Sequence, residues 1–325
     1  MKNIRFYIGP MTQNVIDSVI EFAEENDVKF GFIPSRRQID WTGGYVGYNT
    51  LEFIKYVNSK TNKILICRDH AGLSQGLENC NAFEDSLSMK CDAAWNIDII
   101  HIDPWKKFSK PDQFELAVRE TINNILLINQ MNYLIKFEVG TEEAIRHLNN
   151  WEFFNFLDIL KSELGDIFKK IKYAVIQSGT KLQETKNIGH FDIERLQKMC
   201  EICQEFGVLS KEHNGDYLTD EEIKIRFDNG LNAINIAPEF GVLETKILIK
   251  DISNKKFNKI YNICLNGGNW KKWVDLKCFD PKKEKRKLIE ICGHYHNKEI
   301  KKIVNMDDLT IIKEIKNRLQ QLNSL

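Results

Sequence analysis

Eight short apolar runs between residues 4 and 239 constrain this chain more than any other feature. They are IRFYIG (4–9), KFGFIPS (29–35), ILICRDH (64–70), IDIIHID (97–103), NYLIKFEVG (132–140), YAVIQSG (173–179), GVLSKEH (207–213) and AINIAPE (233–239). Each is rich in Ile, Val or Phe and is the length of a strand buried on both faces, as parallel strands are. Amphipathic segments separate them. TQNVIDSVIEFAEEN, QFELAVRETINNILLINQ and FDIERLQKMCEICQEFG carry apolar residues at helical spacing, and DEEIKIRFDNG is a shorter example. Eight strands alternating with seven helical connections predict a closed (β/α)8 TIM barrel. An open doubly wound sheet usually stops sooner and carries a Gly-rich phosphate turn after its first strand. Here GPMTQN stands in that place.

The barrel is expected over 1–250. Residues 251–325 read as a Lys- and Asn-rich helical segment packed on the barrel rather than an independent domain. The KKEKRK run there reads as a solvated helix face or loop. Lys+Arg and Asp+Glu both number 46, so net charge is zero and gives no electrostatic case for nucleic acid or an anionic membrane as partner. No run approaches the roughly 20 apolar residues of a membrane span. The start, MKNIRFYIGP, reads as a short strand rather than a signal peptide. The eight cysteines are scattered, with one close pair, Cys200 and Cys203, on a helical pattern. They read as free thiols in a reducing compartment, so the expected location is cytoplasmic.

Barrel enzymes place catalytic groups at the C-terminal ends of their strands. Here nearly every run ends in polar residues: Ser35-Arg36-Arg37, Arg68-Asp69-His70, His101 and Asp103, Lys136 and Glu138, Gln177, Lys211-Glu212-His213, and Asn235 with Glu239. Buried polar groups are costly unless they pair or coordinate something, so the set points to a site. His101 and Lys136 are equally readable as outward-facing residues in structural pairs. His70 and His213 end opposite strands of the predicted barrel, and side chains from strand ends are expected to converge on its axis. Two imidazoles and a carboxylate are a common set for a catalytic divalent ion acting as a Lewis acid. Asp69 and Glu138 are the candidates for moving protons beside it, with Glu212 as a ligand or second base. The loop QIDWTGGYVGYNT offers glycines and aromatic faces of the kind that sugars stack on. His294 and His296 in GHYH are weaker candidates.

The order of QIDWTGGYVGYNT, RDHAGL, IHID, FEVG, AVIQSGT, SKEHNGDYLTDEEIKIRFDNGLNAINIAPEFG and the Gly-His-Tyr of GHYH resembles the tagatose-bisphosphate aldolase GatZ/KbaZ-type subunit family. That family is often described as non-catalytic aldolase subunits, and its members and the related uronate epimerases look like barrels that epimerise ketoses or their phosphates. The residues are also similar to class II metal-dependent ketose-bisphosphate aldolases. That resemblance implies proton transfer by Asp69, metal ligation by His70 and His213, and contact of Asn235 with substrate hydroxyls. The aldolases have a further metal His after strand six. This chain has QSGTKLQETKNIGH there, so Gln177, Glu184 or a folded-back His190 would have to serve. Asp216 alters the phosphate-binding stretch after strand seven, so a phosphate would meet Arg36, Arg37 or Arg68 instead.

The expected activity is therefore a metal-dependent epimerase or isomerase acting on a ketose, a sugar phosphate or an activated sugar. The expected metal is zinc, with manganese or magnesium as alternatives, held by His70, His213 and Glu184. Asp69, Glu138 and Glu212 are the expected catalytic groups. Arg36, Arg68, Asp103, Gln177 and Asn235 are expected to bind substrate. Two alternatives are an aldolase making or breaking a C–C bond, and a non-catalytic barrel that stabilises a partner aldolase. A second copy of the chain is the other expected protein partner.

Overall fold

A computed structural model describes residues 4–76 and 81–325. Eight parallel strands form one closed barrel: β1 (Phe6–Ile8), β2 (Phe30–Phe32), β3 (Ile64–Ala71), β4 (Ile99–Ile102), β5 (Lys136–Val139), β6 (Ile171–Ile176), β7 (Leu209–Glu212) and β8 (Ala233–Ile236). Each strand pairs with its neighbours in sequence, and β8 closes on β1 with Phe6 opposite Ile234. Every apolar run overlaps one strand. The fold is the (β/α)8 barrel that the alternation of runs predicts.

Helices α1 (Gln13–Asn26), α2 (Thr50–Lys60), α3 (Ala82–Ala94), α4 (Phe114–Met131), α5 (Asn150–Leu164), α6 (Ile193–Phe206), α7 (Asp220–Asp228) and α8 (Pro238–Leu248) follow the strands in turn. Their starts are set locally. Asn49, Asn81, Asn149 and Thr219 each accept a hydrogen bond from a backbone N–H three residues on. The Glu at that position reaches back to the cap. Such capping boxes satisfy two otherwise unpaired donors and fix where the chain turns from loop to helix.

The barrel interior is small and partly polar. Tyr7, Cys67, Ile99, Tyr173 and Ala233 fill it, and the Tyr7 hydroxyl donates to that of Tyr173 at 3.1 Å. Gly31 allows this packing, since a Cβ there would lie 2.0 Å from the Tyr7 ring. The larger core lies between strands and helices, as alternating side chains on buried strands require.

Residues beyond α8 form α9 (Asn254–Gly267), α10 (Lys285–Cys292), α11 (Asn297–Val304) and α12 (Asp308–Asn323). Helix α12 packs against α1, burying Ile311, Ile315, Leu319 and Leu322. Helix α10 and the 3-10 turn Gly293–His296 pack against α8, the 3-10 turn Asn269–Trp273 packs against α9 and α10, and the turns bring Lys272, Trp273 and Tyr295 to the barrel mouth. Seven cysteines are free thiols, while Cys80 lies outside the described residues. Among the described residues no helix is long and apolar enough to cross a membrane.

Candidate metal centre and active site

Three imidazoles meet above the C-terminal ends of β3, β4 and β7. Ring centres of His70 and His101 lie 4.9 Å apart, those of His70 and His213 5.1 Å, and those of His101 and His213 4.9 Å. Asp69 joins them. One donor atom from each of the four lies within 4.8 Å of the other three.

The backbone explains how His70 arrives. Side chains alternate along a strand, so with Cys67 inside, Arg68 and His70 belong on the outer face. Arg68 does point outward. The register between β3 and β4 then shifts between Arg68 and Ala71, and His70 takes φ 47°. A left-handed histidine costs about 1–3 kcal/mol, and such outliers gather at functional sites. The result turns the His70 ring into the cluster.

Each imidazole is anchored through one nitrogen. His70 Nδ1 is 2.6 Å from Asp103 Oδ2, His101 Nε2 is 3.0 Å from the Gly140 carbonyl, and His213 Nε2 is 2.6 Å from Glu138 Oε1. In the neutral tautomers that donate these N–H groups, His70 Nε2, His101 Nδ1 and His213 Nδ1 are left with lone pairs, and that of His101 accepts a 3.4 Å hydrogen bond from the His70 backbone N–H. Fixing the tautomer through an outer acceptor is how proteins orient imidazole ligands. Asp69 Oδ1 is 3.6 Å from His70 Nε2 and 3.8 Å from His213 Nδ1. Ligands bound about 2.0–2.1 Å from a tetrahedral zinc sit roughly 3.4 Å from one another, so the four donor types suit such an ion and their atoms, now within 4.8 Å, would have to draw together around it.

The electrostatics suit a cation. Burial depresses the His70 pKa, but Asp69, Asp103 and Glu142 together outweigh it and raise it to about 10, so the ring is cationic at neutral pH and a bound ion would take the place of its Nε2 proton. For His101 burial dominates and lowers the pKa to about 4, giving a neutral imidazole of the form a metal ligand needs. Beneath the cluster, burial opposes ionisation of Glu138, yet Lys211, His101 and His213 hold its carboxyl well below the usual range. Lys211 Nζ lies 2.6 Å from Glu138 Oε2 and 3.8 Å from the Tyr7 ring centre.

A cavity of about 320 Å³ opens over Asp69 and His70. Glu142, Asn214, Tyr45, Trp273 and Tyr295 are among its walls. Glu142 Oε2 is 4.0 Å from His70 Nε2 and accepts a hydrogen bond from Asn214 at 2.5 Å. Asn235 is buried, and neither polar atom of its amide has a partner among the described residues. It lies two residues from the inward-facing Ala233, on the side of β8 that faces the axis.

The structure brings together Asp69, His70 and His213, with Asp103 and Glu138 behind them as anchors. Glu212, Arg68, Arg36, Gln177 and Glu184 have their partners elsewhere. Glu212 faces the helix layer, accepting from Ser178 Oγ at 2.5 Å and from Arg226 Nε at 2.9 Å. Arg68 is fully buried against Asp92 at 2.7 Å. Arg36 is buried between Asp40 and Asp85. Gln177 ties loops together, donating to the Thr141 and Arg146 carbonyls and accepting from Leu148 N. Glu184 is paired with Lys287 at 2.9 Å and is no member of the cluster. His294 is buried, stacked on Tyr295 with centres 4.2 Å apart, and is also outside it. The third imidazole of the cluster is His101, from strand four, and neither Glu184 nor His190 is among its members. Glu142 was not singled out in the sequence. It lies four residues past Glu138, on the loop leaving the same strand.

No protein-family model matches the chain, and no curated protein is similar to it in sequence. Solved structures are similar in fold. One is a probable tagatose 6 phosphate kinase from Sinorhizobium meliloti, with 15% identity over 96% of this chain and 86% of that one and a TM-score of 0.71. The fructuronate-tagaturonate epimerase UxaE from Cohnella laeviribosi matches 99% of this chain and 81% of its own, at 10% identity and a TM-score of 0.65. The YdjI aldolase from Escherichia coli matches 92% and 91%, at 11% identity and a TM-score of 0.51. At these identities the likeness establishes a shared (β/α)8 barrel, and the finer GatZ/KbaZ-type assignment rests on the sequence motifs alone.

Proposed function

We propose that the protein is a metal-dependent epimerase or isomerase acting on a ketose, a sugar phosphate or an activated sugar. The observation that carries this reading is the inward convergence of His70, His101 and His213, each anchored through its other nitrogen, beside Asp69 in an open cavity. The three imidazoles would hold a divalent ion, zinc by the chemistry of the donors. Such an ion, when bound, polarises a sugar carbonyl and stabilises the negative charge that develops on its oxygen.

The chain's own residues do the rest. Asp69 is placed to take a proton from the substrate and return one, because its carboxylate faces the cavity and the histidine nitrogens together. Glu142, 4.0 Å from His70 Nε2 and held by Asn214, is the second carboxylate lining the cavity that would receive a sugar. Two carboxylates around one substrate allow removal of a proton from one face and delivery to the other. Asn235 would meet a hydroxyl with its unpartnered amide. Glu138 and Glu212 have no proton-transfer role in this account. Glu138 has both oxygens engaged beneath the site, and Glu212 is turned to Arg226. The similar barrels described as an epimerase and an aldolase are consistent with sugar chemistry on this fold.

The experiment is to incubate zinc-loaded protein with candidate ketoses in deuterated water and to resolve the products by NMR. A new stereoisomer, lost in Asp69→Asn, supports the reading whether or not deuterium enters. Deuterium uptake selects deprotonation, and its absence selects retro-aldol cleavage and re-addition. Net release of a three-carbon fragment moves the assignment to an aldolase. No conversion of any ketose, with zinc bound, refutes it.

A further inference from the structure

The cavity over Asp69 and His70 has a second, cationic half. Arg37 from the loop after β2, Lys106 from the loop after β4 and Lys272 from the 3-10 turn after α9 all line it. Three separate parts of the chain thus deliver a positive charge to one small space. Among the described residues neither Arg37 nor Lys272 forms an ion pair, although the chain carries as many acidic as basic side chains. The neighbouring Arg36, one residue earlier, is by contrast held by two aspartates.

The cations are close enough to disturb one another. Lys272 has its pKa lowered, first by the protein mass around it and then by repulsion from Arg37 and Lys106, with Glu142 opposing weakly. Its side chain remains accessible to solvent within the cavity, so water screens part of that repulsion. Its ammonium is positioned by aromatic faces, 4.3 Å from the Trp273 ring centre and 5.2 Å from that of Tyr295. Contact with aromatic faces occupies no anionic partner, so the charged form, which an arriving anion favours, is open to pair with it. The two carboxylates of the cavity, Asp69 and Glu142, stand beside His70 instead.

Resting on the ketose reading above, we infer that the natural substrate is an anionic ketose whose phosphate or carboxylate group seats on Arg37, Lys106 and Lys272 while its carbonyl end faces Asp69 and the histidines. Gathering like charges is unfavourable until an anion arrives, and a charge-assisted contact then returns more than a neutral hydrogen bond does. A cavity of about 320 Å³ has room for one monosaccharide and one charged group, so the two halves divide a single ligand between them. Binding energy from the remote anion would also orient the reacting end.

The test is titration calorimetry with three probes: a ketose 6-phosphate, a keto-uronate and the neutral ketose. It is run on zinc-loaded and on metal-stripped protein, and repeated with Arg37→Gln and Lys272→Gln. At least one anionic probe should bind about 30-fold or more tightly than the neutral one, and each substitution should shrink that ratio about tenfold with zinc content unchanged. Which anionic probe wins separates phosphate from carboxylate. A ratio near one, binding by neither anionic probe, or a ratio untouched in both variants overturns the inference. Failure to bind zinc with the anion preference intact removes the metal reading alone. Epimerisation of the neutral ketose without any anion preference removes this inference alone.

Discussion

Glu138 Oε1 lies 2.6 Å from His213 Nε2, and this contact fixes which nitrogen His213 presents to the cluster. Lys211 keeps Glu138 ionised from below through a 2.6 Å ion pair in which both side chains are fully buried. The pair therefore reads as a positioning device set under the ligand it controls.

That arrangement predicts separable effects. Glu138→Gln should weaken zinc binding by about 10–100-fold, the usual cost of losing an outer partner of a histidine ligand. It should also destabilise the fold by about 3–5 kcal/mol, because Lys211 is left buried and unpaired. Adding Lys211→Met should restore much of the stability without restoring zinc affinity. Urea denaturation and competitive zinc titration read the two effects independently. Parallel recovery of both in the double variant would remove the positioning role.

Asn235 carries the opposite signature. Its buried amide lacks partners, and a buried unsatisfied polar group costs about 1–3 kcal/mol. Asn235→Leu, close in volume, should therefore raise the unfolding free energy or leave it unchanged while lowering kcat/KM for the sugar. A stabilised but impaired enzyme indicates a residue kept for its ligand. A destabilised enzyme with unchanged kinetics would make the asparagine structural.

Arg68 should behave as a scaffold residue despite its place beside Asp69. Its guanidinium makes two contacts to Asp92, at 2.7 and 2.8 Å, and reaches the carbonyls of Pro34 and Ile39. Arg68→Met strands Asp92 in the interior and should cost about 3–5 kcal/mol. The KM of the folded fraction should stay within about twofold of wild type, since no substrate contact is lost. A large rise in KM at unchanged stability would return Arg68 to the substrate site.

The barrel was legible because its signal is repetitive: eight apolar runs and their connecting helices each report the same architecture. Polar residues at the strand ends were legible as a set. Their individual directions were less so. Alternation along β7 puts Lys211 and His213 inside and Glu212 outside, and along β5 it puts Glu138 inside, so period two alone separates anchors from outward ion pairs. Alternation fails at His70, where the register shift and positive φ reverse the side chain's direction. His101 was ambiguous because an inward histidine on a buried strand reads the same as a structural one until its neighbours are known. Lys272 and Tyr295 were out of reach, since their approach to the mouth depends on how α10 packs on α8 and how its neighbouring turns pack on α8, α9 and α10.

Metal content tests most directly whether His70, His101 and His213 form one metal site. Protein purified without chelator and reloaded with zinc should hold one ion per chain by plasma mass spectrometry. His70→Ala, His101→Ala and His213→Ala should each lose it, while His294→Ala, outside the cluster, should retain it. His101→Ala is the most telling of these, because only the folded arrangement assigns it a ligand role. Full zinc occupancy in the folded His101→Ala and His213→Ala variants would contradict the account.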